Sequence, residues 1–319
     1  MRLKLVPKNT SWNFFSRSKV WIGLSIILVV LSLISFFVQS LNFGIDFRGG
    51  TSIRTESSEP INVAAYRNAL SSLDLGDITI SEVFDPSFEA DQNVAMIRIQ
   101  AQPGQEAATS ILVENSLQNL KEVYSDIKFV SVESVGPKVS GELIKTAIIA
   151  VILAISAVLF YIWIRFEWQF AVGAISALIH DVILTIGIFS LLQIKFDLAI
   201  IAAILTIVGY SLNDTVVVFD RVRENLRKFK KRSLIEVMNL SINETMSRTV
   251  MTSVTTLLAL ISLFVLGGDV IRGFVFAMIW GVVVGTYSSI FIASAILLWT
   301  GVKRDWTKPN AEAGTQVPQ

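Results

Sequence analysis

Six stretches of the chain stay apolar for long enough to cross a bilayer, which takes about 20 residues of helix. They are residues 20–38, 143–164, 168–192, 198–219, 249–266 and 273–300. Between the first two, the texture changes: charges are dispersed, and apolar positions recur at short periods in place of long runs. Residues 43–55 alternate weakly and predict a strand. Residues 61–73, after Pro60, place Ala65, Ala69, Leu70 and Leu73 at helical spacing. Residues 78–84 and 94–99 alternate as strands, 106–123 set Ile111, Leu112, Leu117, Leu120 and Val123 near one helix face, and 127–135 form a last alternating strand. The order β-α-β-β-α-β is the split, ferredoxin-like arrangement.

The chain therefore divides into a tail (1–19), a first transmembrane helix (20–38), a soluble domain (39–142), a five-helix transmembrane bundle (143–302) and a second tail (303–319). Orientation follows from Lys and Arg in the short flanks. The first tail carries Arg2, Lys4, Lys8, Arg17 and Lys19, the segment 221–248 carries eight basic residues, and the last tail has Lys303, Arg304 and Lys308. Only Lys195 and Arg272 fall in the two short loops on the other side. Both termini are thus expected in the cytoplasm. The expected fold is a polytopic α-helical membrane protein with six transmembrane helices and a ferredoxin-like α+β (βαββαβ) periplasmic domain between helices 1 and 2. Within 221–248, residues 221–232 predict an extension of the fourth helix beyond the bilayer. Residues 233–248 predict an amphipathic helix lying on the cytoplasmic surface. The basic run there reads as topology and lipid head-group binding rather than a nucleic-acid patch.

Composition agrees with the spans: 52% hydrophobic, 17% charged, a mean hydropathy of +0.60 and a net charge of +1, against roughly 25% charged in a soluble domain. There is no cysteine and one histidine, so disulfides, thiolate metal sites and multi-histidine sites are excluded. The first apolar run, 19 uncharged residues without a clear small-residue cleavage pattern after it, reads as a retained anchor. No G-x-x-x-x-G-K-S/T loop, G-x-S-x-G elbow or H-E-x-x-H pair occurs. Neither a cofactor nor a catalytic centre is expected, and an ion gradient is the expected source of any work.

Polar residues inside the spans carry the candidate chemistry. An aspartate at the centre of a membrane helix costs roughly 2.5 to 3.5 kcal/mol to insert, so such groups face a bundle interior, a water path or a partner charge. Span four holds Thr206, Tyr210, Asn213 and Asp214 on adjoining parts of one face, and span three holds His180 and Asp181 near its middle. Span five opens on Arg248 and continues with Thr252, Thr255, Thr256 and Ser262 at helical spacing. Asp214, Arg248, Asn213, His180 and Asp181 are the candidate proton relay, with Asp214 beside Arg248 able to take up and release a proton. The alternatives are a static Asp214–Arg248 pair, a His180 that is simply hydrogen-bonded, and a hydroxyl stripe that serves packing. Gly281, Gly285, Ser289 and Ala293, at steps of four in span six, mark close helix contact.

Five motifs occur in order: Phe43-Gly-Ile-Asp-Phe-Arg-Gly-Gly-Thr51, Val135-Gly-Pro-Lys-Val139, His180-Asp-Val182, the run from Ser211 to Asn225, and Ser247-Arg-Thr-Val-Met-Thr-Ser253. Together they resemble the SecF side of the SecD/SecF family, within the RND superfamily, over about residues 13–303. The resemblance implies six helices with a ferredoxin-like periplasmic domain, and residence in the bacterial inner membrane. It also implies a twelve-helix, pseudo-symmetric bundle with SecD, association with the SecYEG translocon and accessory subunits such as YajC, and contact with the translocating polypeptide. Use of the proton-motive force is implied too, with the aspartate of span four and the arginine of span five, here Asp214 and Arg248, on the proton path. Other classes are half of an RND-type small-molecule exporter, an intramembrane aspartyl protease built on Asp181 and Asp214, and a structural scaffold.

Overall fold

A computed structural model describes residues 10–302 apart from 74, 77, 84–87, 89–91 and 102–109. In chain order the elements are α1 (Ser18–Gln39), α2 (Ile45–Arg48), β1 (Gly50–Ser57), α3 (Val63–Leu70), β2 (Ile78–Val83), β3 (Asn93–Gln100), α4 (Ser110–Lys121) and β4 (Lys128–Val135). Then come α5 (Pro137–Arg165), α6 (Trp168–Leu191), α7 (Leu198–Lys228), α8 (Leu234–Leu266), α9 (Asp269–Ser288), a π turn (Ser289–Ala293) and α10 (Ser294–Thr300). Six spans are long and apolar enough to cross a membrane, the last formed by α9, the π turn and α10 together. Burial separates them. More than half of the most apolar window is buried in α6 and in the α9–α10 span and half in α7, against 11% in α1, α5 and α8. Thus α6, α7 and α9 form the centre, and three helices lie outside them.

The inserted domain is a four-stranded antiparallel sheet of order β2-β3-β1-β4, the ferredoxin-like order. Alternation sends Ile53, Ile97 and Ile99 to the helix-covered face, where they pack with Tyr66, Leu70 and Leu120 of α3 and α4. The opposite face carries Ser52, Arg54, Met96, Arg98 and Glu133 toward the outer ends of α7 and α9, across a cavity of about 520 Å³. The expected strand over 43–55 begins only at Gly50. Residues 45–48 coil into α2, and the chain enters β1 through Gly49 and Gly50 with φ of 72° and 127°, left-handed values that favour glycine. Parts of the expected elements at 84 and 106–109 lie outside the described residues.

Asp126, in the turn before β4, ties down the end of β1. It accepts hydrogen bonds from the Ser58 hydroxyl, the Ser58 backbone N–H (2.6 Å) and the Ser57 hydroxyl (2.9 Å). Those bonds, the Ser58 hydroxyl first, hold its carboxyl down to about 2 from an ordinary 3.8. A carboxyl lowered by folding stabilises above its unfolded value, and that contribution fades as pH falls through the folded one. Asp126→Asn is therefore expected to lower the melting temperature at pH 7, with the gap from the parent closing between about pH 4 and pH 2. An equal gap at pH 7 and pH 2 in melts of the purified chain would refute this account.

The segment 233–248 is not a separate surface helix. It is the opening four turns of α8, a single helix of 33 residues capped by the Ser233 hydroxyl, which accepts from the Glu236 N–H. Its apolar side, Val237, Met238 and Ile242, is buried with Val222 and Leu226 of α7. Its polar side is occupied by the N-terminal segment: Asn243 exchanges bonds with the Trp12 backbone at 2.9 and 2.8 Å, and Asn239 accepts from Phe14 N–H at 2.9 Å. The segment thus packs into the bundle along both sides, with Ile235 and Glu236 left exposed at its start.

Candidate functional site: buried carboxylates where the central helices meet

Close contact between α7 and α9 creates the site. A Cβ added at Gly281 would fall 2.3 Å from Ile207 Cγ1, and one at Gly285 would fall 3.0 Å from Ser211 Cβ. The glycines let two backbones approach closely. That approach carries Ser211 of α7 and Ser288 of α9 to Asp181 on α6. Asp181 Oδ2 accepts from the Ser211 hydroxyl at 2.6 Å and from the Ser288 hydroxyl at 2.8 Å, while Oδ1 lies 3.0 Å from His180 Nδ1. Only 1% of Asp181 is exposed. One carboxylate thus knits three helices. His180 Nε2 is buried without a hydrogen-bond partner, and the imidazole lies beside Tyr287, whose hydroxyl donates to Trp21 O of α1 at 2.8 Å.

Asp214 sits one turn beyond Ser211 on α7, and its environment is the opposite. It is 3% exposed, Oδ2 is buried, and among the described residues no donor reaches that atom. Arg248, at the fourth turn of α8, acts on it electrostatically without forming an ion pair, and its side chain is exposed. Thr249, the next residue, is buried with its hydroxyl likewise unpartnered. Asn213 points away from Asp214 onto the outer surface of α7, where Thr206 and Gly209 are also exposed, as are Arg248 and Thr255 on α8. The outward hydroxyls of Thr206, Thr252, Thr255 and Ser262 donate to their own helix, while Tyr210 donates to Thr256 at 3.4 Å and bridges α7 to α8.

The five sequence candidates therefore fall into three settings. Asp181 is satisfied within an inner network whose His180 keeps Nε2 unpartnered, Asp214 is buried with an unused oxygen, and Arg248 and Asn213 lie on an open polar face. Asp181 and Asp214 share no hydrogen bond, and both oxygens of Asp181 are engaged elsewhere. Ser211 and Ser288 were missed as site residues. Ser211 stands in a quoted motif, but its role depends on a non-local contact that no spacing reveals. Asp220, at the far end of α7, meets Arg165 of α5 at 3.3 Å in an exposed ion pair, and Arg221 and Asn225 bind Glu244 at 2.7 Å each, joining α7 to α8.

Six membrane-length helices, a βαββαβ domain after the first and ionisable groups buried between the central three define a membrane transport subunit. A family model described as the C-terminal part of the protein export membrane proteins SecD/SecF matches residues 115–303, and one described as the SecD/SecF GG motif matches residues 34–61. The chain is 59% identical to the protein translocase subunit SecF of Cereibacter sphaeroides over 99% of its own length and 97% of the relative's. It is 57% identical to that of Rhodobacter capsulatus, over 97% and 95%. The crystal structure of SecDF from Thermus thermophilus, described as a translocon-associated membrane protein, superposes with a TM-score of 0.80 at 34% identity. That match covers 94% of this chain and 40% of the SecDF chain, so this chain spans about two fifths of that protein. The chain belongs to the SecD/SecF family of protein-export membrane proteins, as one of its SecF subunits.

Proposed function

We propose that this chain and a SecD partner form one unit that assists Sec-dependent export across the bacterial inner membrane, drawing on the proton-motive force through Asp214. The observation that carries the reading is the half-lined setting of Asp214: a buried carboxylate with an unused oxygen, next to a polar face of α7 and α8 that nothing among the described residues covers. Polar groups such as Asn213 and Arg248 at membrane depth need a protein or water neighbour. In the proposed unit a second subunit supplies it, and the SecDF chain that this one resembles extends well beyond the two fifths matched here. When ionised, Asp214 is held by the field of Arg248 and by groups of the partner. When protonated, it loses that attraction, and the helices settle in a second arrangement. With both termini in the cytoplasm the α+β domain lies in the periplasm, where it meets a polypeptide leaving SecYEG. YajC and lipid head groups on the basic end of α7 complete the expected partners.

The test is export of a secreted reporter into proteoliposomes holding the Sec channel, this chain and its SecD, at fixed ATP, with and without an imposed proton gradient. An increment in export that needs the gradient and both subunits is expected. If the increment is absent, or equal when this chain is omitted, the reading is wrong. An increment that follows a sodium gradient would replace the ion and keep the site.

A further inference from the structure

The path from α1 to the α+β domain does not run free. Residues 40–48 lie along the α6–α7 loop, residues 192–197, and are bonded to it at every step. Ser40, in the left-handed region with φ of 58°, turns its carbonyl to the Ser190 hydroxyl at 2.9 Å and Gln193 Nε2 at 3.3 Å. Asn42 Nδ2 donates to Gln193 O at 2.9 Å, Phe196 N–H donates to Asn42 O at 2.8 Å, and Gly44 N–H donates to Phe196 O at 2.8 Å. The last link is Asp46 Oδ2, which accepts from Leu198 N–H at 3.0 Å. Leu198 is the first residue of α7, and the residue that should cap that helix, Asp197, makes no side-chain cap bond and pairs with Lys195 at 3.5 Å instead. Asp46 therefore caps α7 from another element, with its charge at the positive end of the helix. Phe43, Phe47 and Phe189 pack edge-on or tilted against Phe196 behind these bonds.

We infer that residues 40–48 and 192–198 form a permanent clamp, with Asp46 as its positioning residue, that makes the root of the α+β domain move as one body with the outer end of α7. The inference deepens the function proposed above and rests on it for its consequence. Asp214 lies 16 residues along α7 from Leu198, about 24 Å at 1.5 Å per residue. A rigid helix carries a displacement over that distance, and the clamp passes it to α2 and, through Gly49 and Gly50, to β1. Four residues of helix and Gly49 make a short arm that ends at Gly50, which the sheet already pairs with Gln100 and Val135. Any swing of the domain falls at Gly49, not at the clamp.

Geometry supplies the test. A Cβ at Gly44 would lie 3.3 Å from Asp197 Cβ, within a few tenths of an ångström of the roughly 3.5 to 4.5 Å that a disulfide requires. The chain has no cysteine of its own. Gly44→Cys with Asp197→Cys, in the intact complex in membranes, is expected to oxidise fast and almost completely, read by mobility on non-reducing gels. The oxidised complex should keep its gradient-dependent export within twofold of the reduced one. Asp46→Ala alone is expected to cut the gradient-dependent increment several-fold while ATP-driven export holds, and Asp46→Asn, which keeps an acceptor oxygen, to retain most of it. Oxidising the cysteine pair in the Asp46→Ala background should restore the increment per complex recovered, with the melting temperature followed in parallel; a rescue that only tracks recovered stability would overturn the positioning role. The clamp is overturned if oxidation abolishes the increment, since it must then open in each cycle, or if Asp46→Ala changes nothing. Should the unsubstituted complex show no increment, the proposed function fails. The clamp is then judged by crosslinking alone, and slow or partial disulfide formation overturns it.

Discussion

Asp214→Asn is expected to leave the chain assembled with its partner and ATP-driven export intact, while the whole gradient-dependent increment disappears. Asparagine has the shape of the protonated carboxyl but cannot ionise, so under the proposed function it would hold the bundle in a single arrangement. Assembly should not suffer, because the substitution removes a group that costs roughly 2.5 to 3.5 kcal/mol to place in a membrane helix, and the unused Oδ2 means that no bond is lost there. Arg248→Met should give the same result for a different reason: Asp214 can still ionise, but the charge that acts on it is gone. Reporter export with an imposed gradient, normalised to the amount of complex recovered, is the measurement. A full increment in either variant would make Asp214 a static group and return Arg248 to topology.

A second large effect is expected at Gly281. Any side chain there meets Ile207, three of whose side-chain carbons lie 2.3 to 2.8 Å from the position of an added Cβ, and Ile207 is 2% exposed. Gly281→Val should force α7 and α9 apart at a cost of about 3 kcal/mol, the upper end for overfilling a packed interior. The same movement would pull Ser288 and Ser211 off Asp181. Ile207→Ala by itself should cost about 2 to 5 kcal/mol by opening a cavity. Combined, the two changes fill each other's defect, and the double variant is expected to melt higher than the sum of the single losses predicts. Strict additivity in detergent melts would show that the helices do not touch at these residues.

The elements were legible where the pattern was long. Six apolar runs and one βαββαβ texture are properties of local sequence, and the structure has both. The errors fell where contact from elsewhere overrode a local pattern. Residues 43–49 alternate like a strand, yet Gly44 and Asp46 are taken by Phe196 and Leu198, and the chain coils before it pairs. Residues 233–248 have the amphipathic pattern of a surface helix, yet Asn239 and Asn243 bind residues more than 200 positions away in the sequence. The site divides the same way. Asp214 and Asp181 stand out because a carboxylate in an apolar helix is costly wherever it points. That Asp181 is satisfied and Asp214 is not depends on which helices bring serines to them, and Asn213 shares a run with Asp214 while facing the other way.

The π turn at Ser289–Ala293 has a further consequence. Its Ser294 hydroxyl reaches back five residues, to Ser289 O at 3.1 Å, and one residue more than an α-helix would hold is fitted into the turn. Each residue of an α-helix advances the azimuth by about 100°, so the extra one acts as a phase shift. Before it, Gly281 and Gly285 address α7; at its end, Ala293 addresses α6, where its carbonyl would stand 2.8 Å from a Cβ at Gly173. A single span thereby changes partner about two thirds of the way along its length, at the level where Ser288 meets Asp181. Winding the same residues as an unbroken α-helix would turn α10 by about a quarter of a revolution and aim its small residues at the wrong neighbour, whereas deleting one residue there should leave α10 facing much as it does.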